Sequence, residues 1–211
     1  MDNPWKSINL FDYENHMKLD TVMQLQTLND MMKVQLNSYP VDNVMVLGIA
    51  GGNGLEYIKP EKYSTVYGID INPGYLQEVK RRYSNLGNLL KCICIDLIAE
   101  NSKLPNADFV IANLLIEYIG YNCFENVIKQ VKPKYVSCGI QINTGEEFVS
   151  ESPYLHAFDG LNSIHHQMET FELLCHMSNI GYQYLSTVEY PLPNGKMLVK
   201  VDFVRINRSL R

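Results

Sequence analysis

The stretch with the clearest chemical use is Val44-Met45-Val46-Leu47-Gly48-Ile49-Ala50-Gly51-Gly52-Asn53-Gly54, followed by a second apolar run that ends at Asp70. Gly48, Gly51, Gly52 and Gly54 carry no Cβ, so a ligand can lie directly on the peptide groups of this turn. Residues 55–59 read as the opening of a helix whose free N–H groups face the same space. Asp70 falls about 20 residues after Gly48, where a carboxylate at a strand end can accept two hydrogen bonds from a ribose diol. Strand, glycine turn, helix and strand make the first half of a nucleotide-binding βαβ unit.

The dinucleotide fingerprint G-x-G-x-x-G has no register here: from Gly48 the second and third places are Ala50 and Asn53, and from Gly52 the third is Tyr57. Leu47-Gly48-Ile49-Ala50-Gly51-Gly52-Asn53-Gly54 instead resembles the first motif of the class I S-adenosylmethionine-dependent methyltransferases, and Val66-Tyr67-Gly68-Ile69-Asp70-Ile71-Asn72-Pro73 their second. The resemblance continues through Cys94-Ile95-Asp96-Leu97 and the run from Ala107 to Tyr118, covering residues 44–142. It implies S-adenosyl-L-methionine as cofactor, cradled by Gly48, Ala50, Gly52, Asn53 and Gly54, with its ribose on Asp70 and Ile71 beside it. It also implies that the Asp96 carboxylate accepts the exocyclic amino group of adenine while Leu97 covers the ring. Two positions depart from the family pattern: Val46 stands where an acid is common, and Ala50 where glycine is common.

In open α/β sheets the ligand lies beyond the carboxyl ends of the strands, which places Asn113, Leu114 and Glu117 on the floor where a methyl group is passed. Leu114 and Leu115 occupy the place of the two prolines in the Asn-Pro-Pro-Tyr sequence of the amino-methylating nucleic-acid enzymes, so base methylation is not indicated. A general base is required only if the acceptor loses a proton; His16, His165 and His166 are candidates because neutral imidazole is available near pH 7. The candidate catalytic residues are therefore His16, Asn113 and Glu117. Two segments outside the periodic core, residues 10–17 with Tyr13, Glu14 and His16, and the long connection 143–163, are candidate lids that complete an acceptor pocket.

Bulk properties narrow the partners. A chain of 211 residues with 46% hydrophobic and 19% charged residues suits one buried α/β domain, and the net charge of −5 argues against a broad phosphate-binding surface. A small-molecule acceptor is expected, with no nucleic acid, no membrane partner and no signal for oligomeric state. The N-terminus lacks a basic segment followed by an apolar run, and a cytoplasmic enzyme is expected. Five cysteines with no Cys-x-x-Cys read as small buried hydrophobes, and no zinc-ligand spacing occurs. Two other functions use the same cradle: a nicotinamide-dependent oxidoreductase, and a non-catalytic adenosyl-ligand binding protein.

The elements that position these residues follow from periodicity. The expected architecture is a doubly wound, seven-stranded, mostly parallel sheet with a C-terminal antiparallel hairpin, divided into an N-terminal helical extension or lid (residues 1–40) and the cofactor-binding domain (41–211). Val22, Leu25, Leu28, Met32 and Leu36 recur at helical spacing, and Thr21 with Gln24 resembles a capping box, which predicts a helix over 21–36. Further helices are predicted at 75–83, 121–131 and 167–180, and strands at 89–95, 107–112 and 135–142; residues 101–106 read as a loop. Runs 182–190 and 196–206 joined through Asn194-Gly195 predict the hairpin.

Overall fold

The structure, a computed structural model, describes residues 3–99, 104–143, 145 and 147–206. Seven strands among them form one sheet: β1 (Asn43–Leu47), β2 (Thr65–Asp70), β3 (Leu90–Cys94), β4 (Phe109–Asn113), β5 (Tyr135–Ile142), β6 (Tyr182–Pro191) and β7 (Met197–Arg205). The spatial order is β3-β2-β1-β4-β5-β7-β6, parallel from β3 through β5, with β7 antiparallel to both neighbours. Five helices accompany the sheet: α1 (Leu10–Met17), α2 (Gln24–Ser38), α3 (Pro73–Arg82), α4 (Ile116–Val131) and α5 (Thr170–Asn179).

Alternation along the buried strands feeds two cores. Met45, Leu47, Val110 and Val136 meet Phe124, Val127 and Ile128 of α4 and Leu173 and Met177 of α5 on one face. Val44, Val46, Phe109 and Ile111 meet Met32 and Leu36 of α2 and Leu76 and Val79 of α3 on the other. Burial on both faces explains why β1 and β4 read as continuous apolar runs rather than alternating ones. The strand order reverses between β1 and β4, which opens a crevice at their carboxyl ends.

Three expectations are corrected. The helix expected at 55–59 is a single 3-10 turn, Leu55–Tyr57. Helix α2 packs so closely there that a Cβ on Gly54, at φ +90°, would fall 2.4 Å from Met32 Cβ. Nor does the Thr21–Gln24 capping box form: α2 begins at Gln24, behind Met23 in the left-handed region, with no side-chain cap. Gln24 is instead buried and donates to Gln141 Oε1. Of the five cysteines only Cys138 is buried, Cys94 and Cys175 being exposed. Within the expected 101–106 loop, residues 101–103 lie outside the described residues.

Above the carboxyl edge, the N-terminal turn Pro4–Lys6 and α1 pack against the 3-10 segment Leu155–Ser163 through a small core of Ile8, Phe158 and Leu161, with Trp5, Tyr13 and Tyr118 at its margin. Helix α4 breaks at Gly120 (φ 73°, ψ 159°), so its first turn, carrying Glu117 and Tyr118, is directed separately from the rest. No helix among the described residues is long and apolar enough to cross a membrane.

Candidate active site

A cavity opens at the ends of β1, β2, β3 and β4. Gly48 and Ala50 line it from the first turn, Asp70 and Ile71 from the second strand, Asp96 and Leu97 from the third, and Asn113 from the fourth. Trp5, Tyr13, Tyr75 and Tyr118 supply aromatic cover. Ala50 sits at φ +46°, a left-handed conformation that costs an L-residue about 1 kcal/mol and that glycine would adopt freely. Its N–H donates to Asp70 Oδ2 at 2.9 Å, and the Asn72 N–H donates to Asp70 Oδ1 at 2.8 Å. Burial pushes the Asp70 carboxyl up, against the lowering pull of the Asn72, Ala50 and Ile71 N–H groups. A carboxylate has about four acceptor positions, so capacity remains toward the cavity.

Gly52, Asn53 and Gly54 line neither this cavity nor its neighbour. A Cβ on Gly52 would meet the Tyr83 ring at 2.7 Å, and Asn53 donates to Leu25 O and accepts from Asn29. Asp96 combines two tasks: Oδ1 accepts the N–H groups of Ile98 and Ala99, closing a turn, while Oδ2 lies 3.8 Å from Lys6 Nζ. The Asn113 amide exchanges two hydrogen bonds of 2.9 Å with Gln35, which also donates to Ser137 Oγ. From Ser137 the network continues to Asp202, itself paired with Lys200. Asn113 thus fastens the end of β4 to α2.

A second cavity adjoins the first and shares Trp5, Tyr13, Leu114 and Tyr118 with it. Leu114 is held at φ +50°, its N–H bonded to Gly139 O at 2.7 Å, so the partition between the cavities carries backbone strain. Glu117 lines this chamber while only 3% exposed. The Gln141 N–H donates to its Oε1 at 2.8 Å, and Oε2 has no hydrogen-bond partner among the described residues. Burial pushes the Glu117 carboxyl up to about 7 despite that hydrogen bond. His16 and His165 line the same chamber. Both are pushed down to about 4, chiefly by burial, and stand neutral at pH 7. His16 Nδ1 is 2.8 Å from Ser152 Oγ, and the His165 ring stacks on Phe148 with centroids 3.8 Å apart. His166 lies outside both chambers, near Gly120.

The roof is tied to the floor. Asn72 Nδ2 donates to Trp5 O at 3.0 Å, the Tyr75 hydroxyl to Ile8 O at 2.9 Å, and Arg82 pairs with Glu14 while also reaching Gly51 O. Sequence reasoning missed Trp5, Tyr75, Gln24 and Gln141, and reached Phe148 and Phe158 only as members of the 143–163 connection. Gln141 was accessible by the strand-end argument that selected Asn113; the aromatic residues belong to no motif and meet only through tertiary packing.

Residues 45–134 match the family model described as a methyltransferase domain. No curated protein matches the sequence. Solved structures do. The N-methyltransferase NodS from Bradyrhizobium japonicum WM9, in complex with S-adenosyl-L-homocysteine, is 14% identical with a TM-score of 0.66, over 97% of this chain and 99% of that one. Magnesium protoporphyrin IX methyltransferase from Synechocystis PCC 6803, with S-adenosyl-L-homocysteine bound, is 12% identical with a TM-score of 0.68, over 96% of each chain. The [4+2]-cyclase SpnF is 8% identical with a TM-score of 0.64, over 87% of this chain and 82% of that one. At these identities the likeness establishes a shared fold, one that carries more than one chemistry.

Proposed function

We propose that this chain, whose residues 45–134 match the family model described as a methyltransferase domain, transfers a methyl group from S-adenosyl-L-methionine to a small-molecule acceptor. The observation that carries the reading is the pair of adjoining chambers at the carboxyl edge of the sheet, which share Trp5, Tyr13, Leu114 and Tyr118 on their linings. The first suits an adenosyl ligand: Asp70 has acceptor capacity for the ribose, Asp96 and Leu97 border the place of the base, and Gly48 and Ala50 border the other end. When bound, the cofactor supplies an electrophilic methyl group and an excellent leaving group. The protein's task is then to orient the acceptor and keep the site dry, and effective concentration alone can supply several kcal/mol of the barrier.

In the second chamber Glu117 is the group that takes a proton from the acceptor, since Oε2 is free and the carboxyl titrates near neutrality. His16 offers a neutral imidazole beside it. Asn113 acts by fixing the floor through Gln35 rather than by meeting the acceptor. The N-terminal extension, residues 1–40, divides its work: α2 is structural cover, while the segment through α1 forms the lid together with the 147–163 connection. The exposed thiol of Cys175 suits a reducing compartment, and the reaction belongs in the cytoplasm.

Calorimetric titration tests the reading. S-adenosyl-L-methionine and S-adenosyl-L-homocysteine are expected to bind with micromolar affinity and raise the melting temperature, while reduced nicotinamide cofactor gives no heat. Folded protein that binds neither adenosyl ligand, or that binds the nicotinamide cofactor instead, would overturn it.

A further inference from the structure

The second chamber has a composition that selects a charge type. Among the described residues its one acid is Glu117, and Oε2 of that side chain has no partner while the residue is only 3% exposed. Around it stand the rings of Trp5, Tyr13, Tyr118, Phe148 and Phe158. Trp5 packs edge-on to Tyr118 at 4.9 Å and to Tyr13 at 5.6 Å between centroids, so these rings form one connected wall. Aromatic faces attract cations, most strongly where water is excluded, and repel anions. Every other titratable group on the lining is uncharged at neutral pH: His16 and His165 are held in the neutral form, and burial keeps the Tyr13 and Tyr118 hydroxyls protonated. Lys196, whose charge adds to burial in holding His16 and His165 neutral, lies outside the lining with its ammonium on Phe148 O at 2.6 Å, and Glu14 is engaged by Arg82 outside the chamber.

A buried carboxylate with a vacant oxygen and no cation on its own lining lacks half of an ion pair. Resting on the methyltransferase reading above, we infer that the acceptor is a small primary or secondary amine that enters as its ammonium ion, held between Glu117 and the aromatic walls. The ammonium gives one N–H proton to Glu117 Oε2, which frees the nitrogen lone pair. The N–C bond to the methyl group forms as the S–C bond of the cofactor breaks, leaving the methylated ammonium and the neutral thioether; the proton on Glu117 passes to solvent when product leaves. Anionic acceptors are excluded by the same surface, because a carboxylate or phosphate would face Glu117 with no cation on the lining to offset it. The Gln141 main-chain N–H fixes the direction of the acid through Oε1, while the Gln141 side chain accepts from Gln24.

The test uses the full chain saturated with S-adenosyl-L-homocysteine and three probes of one shape and different charge: 2-phenylethylamine, 2-phenylethanol and phenylacetate, with benzylamine and piperidine to cover size. At least one amine is expected to bind ten times or more tighter than the alcohol, with no measurable binding of phenylacetate. At pH 6.5, amine binding should release protons, seen as a dependence of the calorimetric heat on buffer ionisation enthalpy, because it forces Glu117 into its ionised form. Glu117→Gln should lose both the preference and the proton release while binding S-adenosyl-L-homocysteine normally, and Glu117→Asp should keep part of each. Equal binding of amine and alcohol, tighter binding of phenylacetate, or no binding of any amine to the loaded protein would overturn the inference and leave the methyltransferase reading intact. Failure of the parent protein to bind S-adenosyl-L-homocysteine would instead remove the reading beneath it.

Discussion

The main-chain N–H of Gln141 holds Glu117 Oε1 at 2.8 Å, and the other oxygen of that carboxyl has no partner among the described residues at the wall of the second chamber. One oxygen is therefore fixed in direction by β5 while the second remains available. That division of labour separates Glu117 from the other acids of the site, whose oxygens are occupied by backbone N–H groups or by neighbouring cations.

Replacing Glu117 with Gln should lower turnover by roughly 10²-fold or more, the usual contribution of a positioned proton acceptor. In the parent, rate should rise through about pH 7 as the carboxyl ionises. In the variant that limb should vanish. A pH–rate profile of both proteins with an accepted substrate checks this.

The same substitution should stabilise the unliganded protein at alkaline pH. The folded carboxyl titrates at about 7 against an ordinary 4.5, so its protonated form is favoured by folding. Below pH 4.5 both states are protonated and the group costs nothing; between 4.5 and 7 the folded state progressively loses stability, and above 7 the full cost remains. That cost is on the order of 3 kcal/mol. Melting temperatures of parent and Glu117→Gln should converge near pH 4.5 and separate above pH 7, with the variant higher.

Asp70→Ala should weaken S-adenosyl-L-homocysteine binding by about 2 to 4 kcal/mol, and Asp70→Asn by less, because the amide oxygen still accepts. The alanine variant also releases the Ala50 and Asn72 N–H groups, so its unliganded melting temperature should fall as well. Parent-like affinity in both variants would mean that Asp70 serves only the turn.

Gln35→Leu should destabilise the fold by about 1 to 3 kcal/mol, since it leaves the Asn113 amide and Ser137 without the partner that joins them. Chemical denaturation measures the loss. If the floor is fixed through this link, affinity for S-adenosyl-L-homocysteine should drop in the same variant.

The Glu14–Arg82 pair latches α1 to α3 and to the glycine turn. Arg82→Ala should speed amide hydrogen exchange across residues 10–17 with little change in the sheet, an opening cost on the order of 1 kcal/mol. In the parent, S-adenosyl-L-homocysteine should slow exchange in residues 10–17 and 147–163. Protection confined to the ends of β1, β2 and β3 would make both segments passive cover.

Much of the architecture was legible because local signals agreed with one another. Continuous apolar runs announced strands buried on both faces, Asn194-Gly195 announced the hairpin, and Asp70 and Asp96 stood at strand ends where they line the first cavity. What the sequence alone determined was therefore the mostly parallel sheet, its C-terminal hairpin, and the acidic residues that face the crevice. Packing decided the rest. Helix α2 crowds the glycine turn through Met32, which explains why Leu55–Tyr57 stays a 3-10 turn and why Gly52, Asn53 and Gly54 face the interior rather than the cavity. Trp5 and Phe158, more than 150 residues apart in the chain, become parts of one wall, and the break at Gly120 redirects Glu117 onto it. Periodicity reports which face of an element is buried; it does not report which distant segment buries it, and the chamber that receives the acceptor is made almost wholly of such encounters.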